Sequence, residues 1–274
     1  MLTDHRLAVL GAGNIGGALV GGLLRGEDLA ADRITATRRS DAGRAALRAR
    51  FPGIGVSADN GAAVREATLV LVSVKPQNAA HLFAEIRAAL PPEALVISTL
   101  AGVGTEALAM ALGAEQPIVR AMPNTPALVD EAATALAPGA HATEAHLALA
   151  RRVFEAVGVV EAVPERLMDA VTGLSGSGPA YVFMVIEGLT DAGVKQGLAR
   201  PTAHRLAVQT VLGAARLAQE TGEHPAILRD QVTTPGGTTI SAVAELERHG
   251  LRTMLIDAVQ IATERSAQLR RIQD

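Results

Sequence analysis

The 274-residue chain predicts an α/β fold: an N-terminal parallel sheet wrapped by helices, followed by an all-α half. Three observations carry that expectation. Through roughly the first 160 residues, short apolar runs alternate with helix-spaced segments. The runs are continuous rather than alternating in polarity, as strands buried on both faces should be. From Glu165 onward the strand-like runs cease and only long helical patterns remain.

The strands are expected at Leu7–Leu10, Ile34–Thr37, Leu69–Val74, Leu95–Thr99 and Ile118–Ala121, with helix spacing at Ile15–Arg25, Ala42–Arg50, Ala79–Leu90 and Thr105–Leu112 between them. Such alternation predicts parallel pairing through right-handed crossovers. A strand Thr134–Ala137, a helix Glu144–Ala156 and a strand Gly158–Val163 complete a first domain over residues 1–164.

Residues 165–274 read as a second, α-helical domain with helices over 165–172, 179–192, 201–220, 225–231, 238–248 and 251–271. Pro179, Pro201 and Pro225 stand where helices can begin, because a first turn tolerates a residue without an N–H. Gly188 and Gly193 suit close helix packing. Stretches such as Tyr181–Gly188 carry little polar surface, so this half is expected to bury it in a homodimer.

Composition narrows the chemistry. Hydrophobic residues make up 49% of the chain and aromatics only 2%, so the core must come from Ala, Leu, Val and Ile, and base stacking on aromatic platforms is not expected. The net charge of −3 and the lack of a long basic run argue against nucleic acid. With no cysteine there are no disulfides, thiolate metal sites or cysteine nucleophiles, and no metal site is expected. Met1–Arg6 is polar and no apolar run approaches a membrane span, so a cytoplasmic protein is expected. Only Lys75 and Lys195 are lysines, against 23 arginines, which singles out positions that want an ammonium.

Leu7–Leu10 runs directly into Gly11-Ala-Gly13-Asn14-Ile15-Gly16. Gly11 permits a tight turn, Gly13 lets backbone approach a pyrophosphate, and Gly16 lets helix and strand pack closely. Asn14 and Ile15 open the helix whose N-terminus offers N–H groups to the phosphates. Strand, turn and helix together make a Rossmann-type dinucleotide site. A diol-binding acid is expected at the end of the second strand if NAD is preferred. Here Thr37 is followed by Arg38-Arg39-Ser40. Paired guanidiniums suit a 2′-phosphate, hence NADPH; the alternative is that they open a solvated helix. Val74, Lys75 and Pro76 end the third of these strands and Ala101 follows the fourth, all at carboxyl ends that face the cofactor crevice. Asn60 is either a further ligand or a residue of a helix cap.

Two blocks in the second half look unlike packing. Gly173–Tyr181 crowds small and hydroxyl residues at what reads as a helix start. Thr234-Pro-Gly236-Gly237-Thr238-Thr239 precedes the apolar helix from Ile240, offering N–H groups and hydroxyls to a small anion. With Met122-Pro-Asn124-Thr-Pro126 and the motifs above, these blocks make the chain resemble pyrroline-5-carboxylate reductases over nearly its full length.

The resemblance implies an all-α dimerisation domain, dimers that assemble into decamers, and NADPH-dependent reduction of a cyclic imine to L-proline. It places the substrate carboxylate on Thr234, Gly236, Gly237, Thr238 and Thr239, puts Glu165 near the substrate, and assigns the ring nitrogen to Thr239, which is therefore the candidate catalytic residue. It also lines the cofactor with Asn60, Lys75, Pro76 and Ala101. Arg38 and Arg39 lie where relatives vary, and Gln231 stands where many carry Asn. Two other readings remain open on the residues alone. A β-hydroxyacid-type dehydrogenase would need Lys195, and a non-catalytic NADPH-binding sensor would need no substrate loop. The seven histidines are scattered and suit surface or capping roles.

Overall fold

The computed structural model describes residues 2–273, with side chains as far as residue 269. Its strands are β1 (Leu7–Leu10), β2 (Ile34–Thr37), β3 (Gly55–Ser57), β4 (Leu69–Val72), β5 (Leu95–Ser98), β6 (Ile118–Met122), β7 (Ala132–Pro138) and β8 (Gly158–Ala162). The helices among them are α1 (Asn14–Arg25), α2 (Asp41–Arg50), α3 (Asn60–Val64), α4 (Ala79–Ile86), α5 (Thr105–Leu112) and α6 (Glu144–Glu155). There follow α7 (Met168–Val171), α8 (Gly178–Lys195), α9 (Arg200–Thr221), α10 (Pro225–Gln231), α11 (Thr238–Arg248) and α12 (Leu251–Gln273).

The strands form one sheet in the order β3-β2-β1-β4-β5-β6-β7-β8. Pairing is parallel from β3 to β6, so the expected parallel core is present. The expectation fails at β7, which runs antiparallel to β6. The reason is length: residues 123–131 join them, fewer than the dozen or so that a parallel crossover needs. β8 returns through α6 and pairs parallel with β7. The short edge strand β3 was not expected; three residues, none of them buried, carry too little apolar periodicity to announce it.

Burial on both faces explains the continuous apolar runs. In β1, Leu7 and Val9 join a core with Leu19, Leu23 and Phe154, whereas Ala8 and Leu10 join another with Val72, Phe83 and Leu108. The chain leaves β1 for β2 and β3 on one side, then returns to β4 on the other. Strand order therefore reverses beside β1, which opens a crevice at the carboxyl ends of β1 and β4.

By internal contacts the chain forms two compact units, Met1–Ser177 with Gln260–Asp274, and Gly178–Val259. In the first, Ser266 Oγ donates to Asp169 Oδ1 at 2.9 Å, both side chains buried, which fixes the later turns of α12 on α7. In the second, α8 and α9 pack tightly because Gly193 has no side chain: a Cβ there would lie 3.0 Å from that of Ala203. Gly188 has no such neighbour. The helices of this unit leave Val182, Phe183, Met184, Val185, Leu206, Leu212 and Leu255 exposed.

One local expectation is refined. A helix does start inside Gly173–Tyr181, α8 at Gly178, but the residues before it are not a plain loop. After α7 the backbone passes through a π-helical turn, Thr172–Gly176, in which Ser177 N donates to Thr172 O at 2.8 Å, and continues into α8. Pro179 has no N–H for the Ser175 carbonyl four residues back. That carbonyl instead accepts from Asn124 Nδ2 at 3.1 Å, and Asn124 Oδ1 accepts from Ala133 N at 3.0 Å.

Candidate active site

The crevice is a cleft of about 680 Å³. Its floor is the turn between β1 and α1: Gly11, Gly13, Asn14 and Ile15 line it. Gly11 has φ +78°, the left-handed region, and its N–H donates to Thr37 Oγ1 at 3.1 Å. Gly16 lies under the turn, where a Cβ would come within 3.0 Å of Val9 Cγ1, so its role is helix–strand packing. Gly13 faces open space: only Arg38 Nη1, at 3.4 Å, and Gly11 O, at 3.7 Å, approach the place a side chain would fill. This open position lies at the N-terminus of the 12-residue α1, where free N–H groups and the helix dipole favour an anion.

Arg38 and Arg39 line the same cleft and do not belong to a helix. α2 begins at Asp41, capped by Ser40, whose Oγ accepts from Gly43 N at 3.1 Å. Arg44 Nη1 donates to the carbonyls of Arg38, at 2.9 Å, and Arg39, at 2.5 Å, which sets the loop. The residue types fit a 2′-phosphate: two guanidiniums and a hydroxyl, and no acid, occupy positions 38–40 directly after β2. Thr37 Oγ1, where a diol-binding acid is expected, donates its one proton to Asn60 Oδ1 at 2.7 Å.

Asn60 is more than part of a cap. Asp59 caps α3, its side chain accepting from Ala62 N at 2.8 Å, and the Asn60 side chain lines the cleft. Asn60 Nδ2 donates to Glu85 Oε2 at 2.6 Å, and Glu85 Oε1 lies 2.9 Å from His81 Nε2. Gly11, Thr37, Asn60 and Glu85 thus form one hydrogen-bonded chain along the wall, with His81 beside its far end. The sequence reading missed Thr37, His81 and Glu85. The i, i+4 spacing of His81 and Glu85 was the available signal, but it also describes an ordinary solvated helix face.

Val74 and Lys75 line the far side of the cleft, as does Thr99 after β5. Pro76 opens a 3-10 turn beside them, and Ala101 is exposed two residues past Thr99; neither borders the cleft.

Glu165 lies in the first unit, at the N-terminus of α5. Its Oε1 accepts from Thr105 N at 2.7 Å and its Oε2 from Thr105 Oγ1 at 2.5 Å. Arg120 Nη1, on a side chain only 1% exposed, stands 3.6 Å from Oε1. In the second unit, Thr234–Thr239 forms the expected turn. Gly237 N donates to Thr234 O at 3.0 Å and Gly236 has φ +67°. α11 then starts at Thr238 on a Gly237 cap without a side chain. The first-turn N–H groups of Thr238 and Thr239 have no acceptor within the helix. Thr234 and Thr238 are exposed, Thr239 half-buried. Gln231 spends its amide on Glu223, Nε2 to Oε2 at 2.8 Å. Lys195 is exposed at the end of α8. His146 and His224 cap α6 and α10.

Residues 165–269 match the model "Pyrroline-5-carboxylate reductase dimerisation", and residues 6–102 match "NADP oxidoreductase coenzyme F420-dependent". A pyrroline-5-carboxylate reductase of Methanosarcina acetivorans is 43% identical over 98% of this chain and 99% of its own. The Escherichia coli enzyme of that name is 39% identical over 97% and 98%. The chain belongs to the pyrroline-5-carboxylate reductase family. Among solved structures, a family member from Coxiella burnetii superposes with a TM-score of 0.93 at 37% identity, covering 97% of this chain and 98% of the other. The Plasmodium falciparum pyrroline carboxylate reductase, solved with NADP bound, gives 0.86 at 28% identity over the same shares. As a member of this family the chain is an NAD(P)-dependent oxidoreductase and a homo-oligomer. No helix among the described residues is long and apolar enough to cross a membrane.

Proposed function

We propose that the protein reduces 1-pyrroline-5-carboxylate to L-proline with NADPH, the last step of proline synthesis, in the cytoplasm. The observation that carries the cofactor reading is the open cradle over Gly13 with the Arg38 guanidinium beside it. Membership of the family carries the substrate.

When bound, NADPH supplies hydride to C5 of the imine. The residues assigned to it are Gly11, Gly13, Asn14, Ile15 and Gly16 at the pyrophosphate turn, and Arg38 and Arg39 at the 2′-phosphate. Asn60, Val74, Lys75, Pro76 and Ala101 complete the set. Gly236, Gly237, Thr234 and Thr238 hold the substrate carboxylate through N–H groups and hydroxyls, with Glu165 on the substrate side. Thr239 hydrogen-bonds the ring nitrogen. A threonine hydroxyl is too weak an acid to protonate that nitrogen, so its work is orientation. The imine enters already protonated, which makes C5 electrophilic, and the product amine keeps that proton.

Residues 165–274 act as the dimerisation and substrate domain, residues 1–164 as the cofactor domain. The exposed apolar side chains of α8 and α9 support a homodimer through the C-terminal helices; five such dimers make the decamer that family membership suggests. Loss of NADPH absorbance on adding pyrroline-5-carboxylate tests the activity, and light scattering tests the assembly. Tight NADPH binding without turnover of the imine would overturn the reading.

A further inference from the structure

We propose that Glu165 and Thr105 form a positioning clamp, backed by Arg120, that sets the loop Thr99–Gly104, which leaves the cleft at Thr99, on the nicotinamide side of the cofactor. The inference rests on the NADPH reading above and adds to it two residues with no role there, Thr105 and Arg120.

Strand order gives the loop its side. The 2′-phosphate residues Arg38 and Arg39 follow β2, the pyrophosphate turn follows β1, and β4 and β5 come next across the sheet. A dinucleotide laid over these carboxyl ends with its adenosine at β2 puts its nicotinamide end towards β4 and β5. Thr99, the first residue past β5, already borders the cleft.

The loop is anchored at its two ends. At its root, Thr99 N and Thr99 Oγ1 both donate to Val72 O, at 3.0 and 3.1 Å, so that end of the loop is tied to β4. Between the anchors lies Gly102 at φ +76°, a turn. At the far end α5 starts on Gly104, which has no side chain with which to cap the helix. The cap comes instead from 60 residues away: the Glu165 carboxylate takes both the N–H and the hydroxyl of Thr105. A carboxylate at a helix N-terminus is favoured by the helix dipole. The buried Arg120, on β6 and paired in register with Ser98 of β5, holds it there at 3.6 Å. A cation buried in the sheet keeps its counter-ion closely, because separating the pair would leave an uncompensated charge in a low dielectric. Thr105 is itself buried, its Cβ packed beside Gly139 at the end of β7. The carboxylate therefore has little freedom, and neither does the loop it terminates.

Thr105 is the residue to vary, because Glu165 also stands among those assigned to the substrate. Thr105→Val keeps volume, branching and the N–H bond but deletes the hydroxyl donor; Thr105→Ser restores it. The readout is calorimetric binding of two ligands to the full-length protein without substrate: NADP+, and 2′,5′-ADP, which has the 2′-phosphate end but no nicotinamide. Stoichiometry counts only folded sites, and Thr105→Ala serves if the valine variant does not fold. The clamp predicts that Thr105→Val weakens NADP+ about threefold or more while leaving 2′,5′-ADP unchanged, a fraction of a charge-assisted hydrogen bond. Thr105→Ser should bind both like the parent. Equal effects on the two ligands, or none on either, overturn the clamp while leaving the cofactor reading intact. A parent protein that binds neither ligand overturns both.

Discussion

Gly11 and Gly13 are two residues apart in one turn, yet alanine at each should fail for a different reason. At Gly11 the cost is structural. The backbone sits at φ +78°, where an L side chain costs about 1–2 kcal/mol. A methyl would also overlap Val74 Cγ1 and stand 3.1 Å from Ser73 O and 3.2 Å from Val74 Cα, and two of those three atoms are backbone that cannot rotate away. Overpacking of that kind adds about 1–3 kcal/mol. Gly11→Ala should therefore lose about 3 kcal/mol, which for a unit of this size lowers Tm by roughly 6–12 °C. At Gly13 the backbone has φ −85° and ψ −142°, just outside the β basin, and the nearest atom to a methyl is Arg38 Nη1 at 3.4 Å. The fold should lose only about 1 kcal/mol there. The methyl would instead fill the cradle, and NADPH affinity should fall about tenfold or more. Thermal melts of the ligand-free variants and calorimetric titration with NADPH separate the two effects. If Gly13→Ala binds NADPH like the parent, the pyrophosphate does not lie over this turn; if both variants melt alike, the packing argument at Gly11 is wrong.

Other variants test the remaining assignments. Arg38→Ala should raise KM for NADPH by about 10- to 100-fold, the worth of one or more charge-assisted hydrogen bonds, and leave KM for NADH nearly unchanged; equal losses with both cofactors would move the 2′-phosphate elsewhere. Thr239→Ala should lower turnover of the imine while NADPH binding is spared, and unchanged steady-state kinetics would remove Thr239 from the reaction. Asn124→Ala deletes both the donor to Ser175 O and the acceptor of Ala133 N, and should cost about 2–3 kcal/mol in chemical denaturation. Asn124→Asp, which keeps the acceptor but brings a negative oxygen to the Ser175 carbonyl, should not rescue it.

Much of this protein could be read from local pattern. A strand buried on both faces must be apolar throughout, so β1, β2, β4, β5 and β6 announce themselves. Gly11 and Gly13 are legible because each meets a need that only a residue without Cβ meets. Arg38 and Arg39 were legible through what does not accompany them, an acid directly after β2. These are properties of a residue and its near neighbours in the chain.

Tertiary structure decided what depends on residues far apart in sequence. The direction of β7 followed from the length of its connection to β6 and could have been suspected, but its pairing could not. Gly173–Tyr181 holds the start of α8, as its small residues suggest, but the π turn before it and the arrival of Asn124, 51 residues before Ser175, at the carbonyl that Pro179 leaves are set by the fold. Glu165 looked like a substrate residue by resemblance, and nothing near it in sequence indicates that Thr105 and Arg120 hold its carboxylate. Glu85 and His81 are an unremarkable helical pair until folding brings Asn60 against them. Apolar periodicity and glycine stereochemistry act over a few residues and leave their mark in the sequence. A buried charge or an orphaned carbonyl needs only some partner of the right chemistry, from anywhere in the chain, and the fold determines which one arrives.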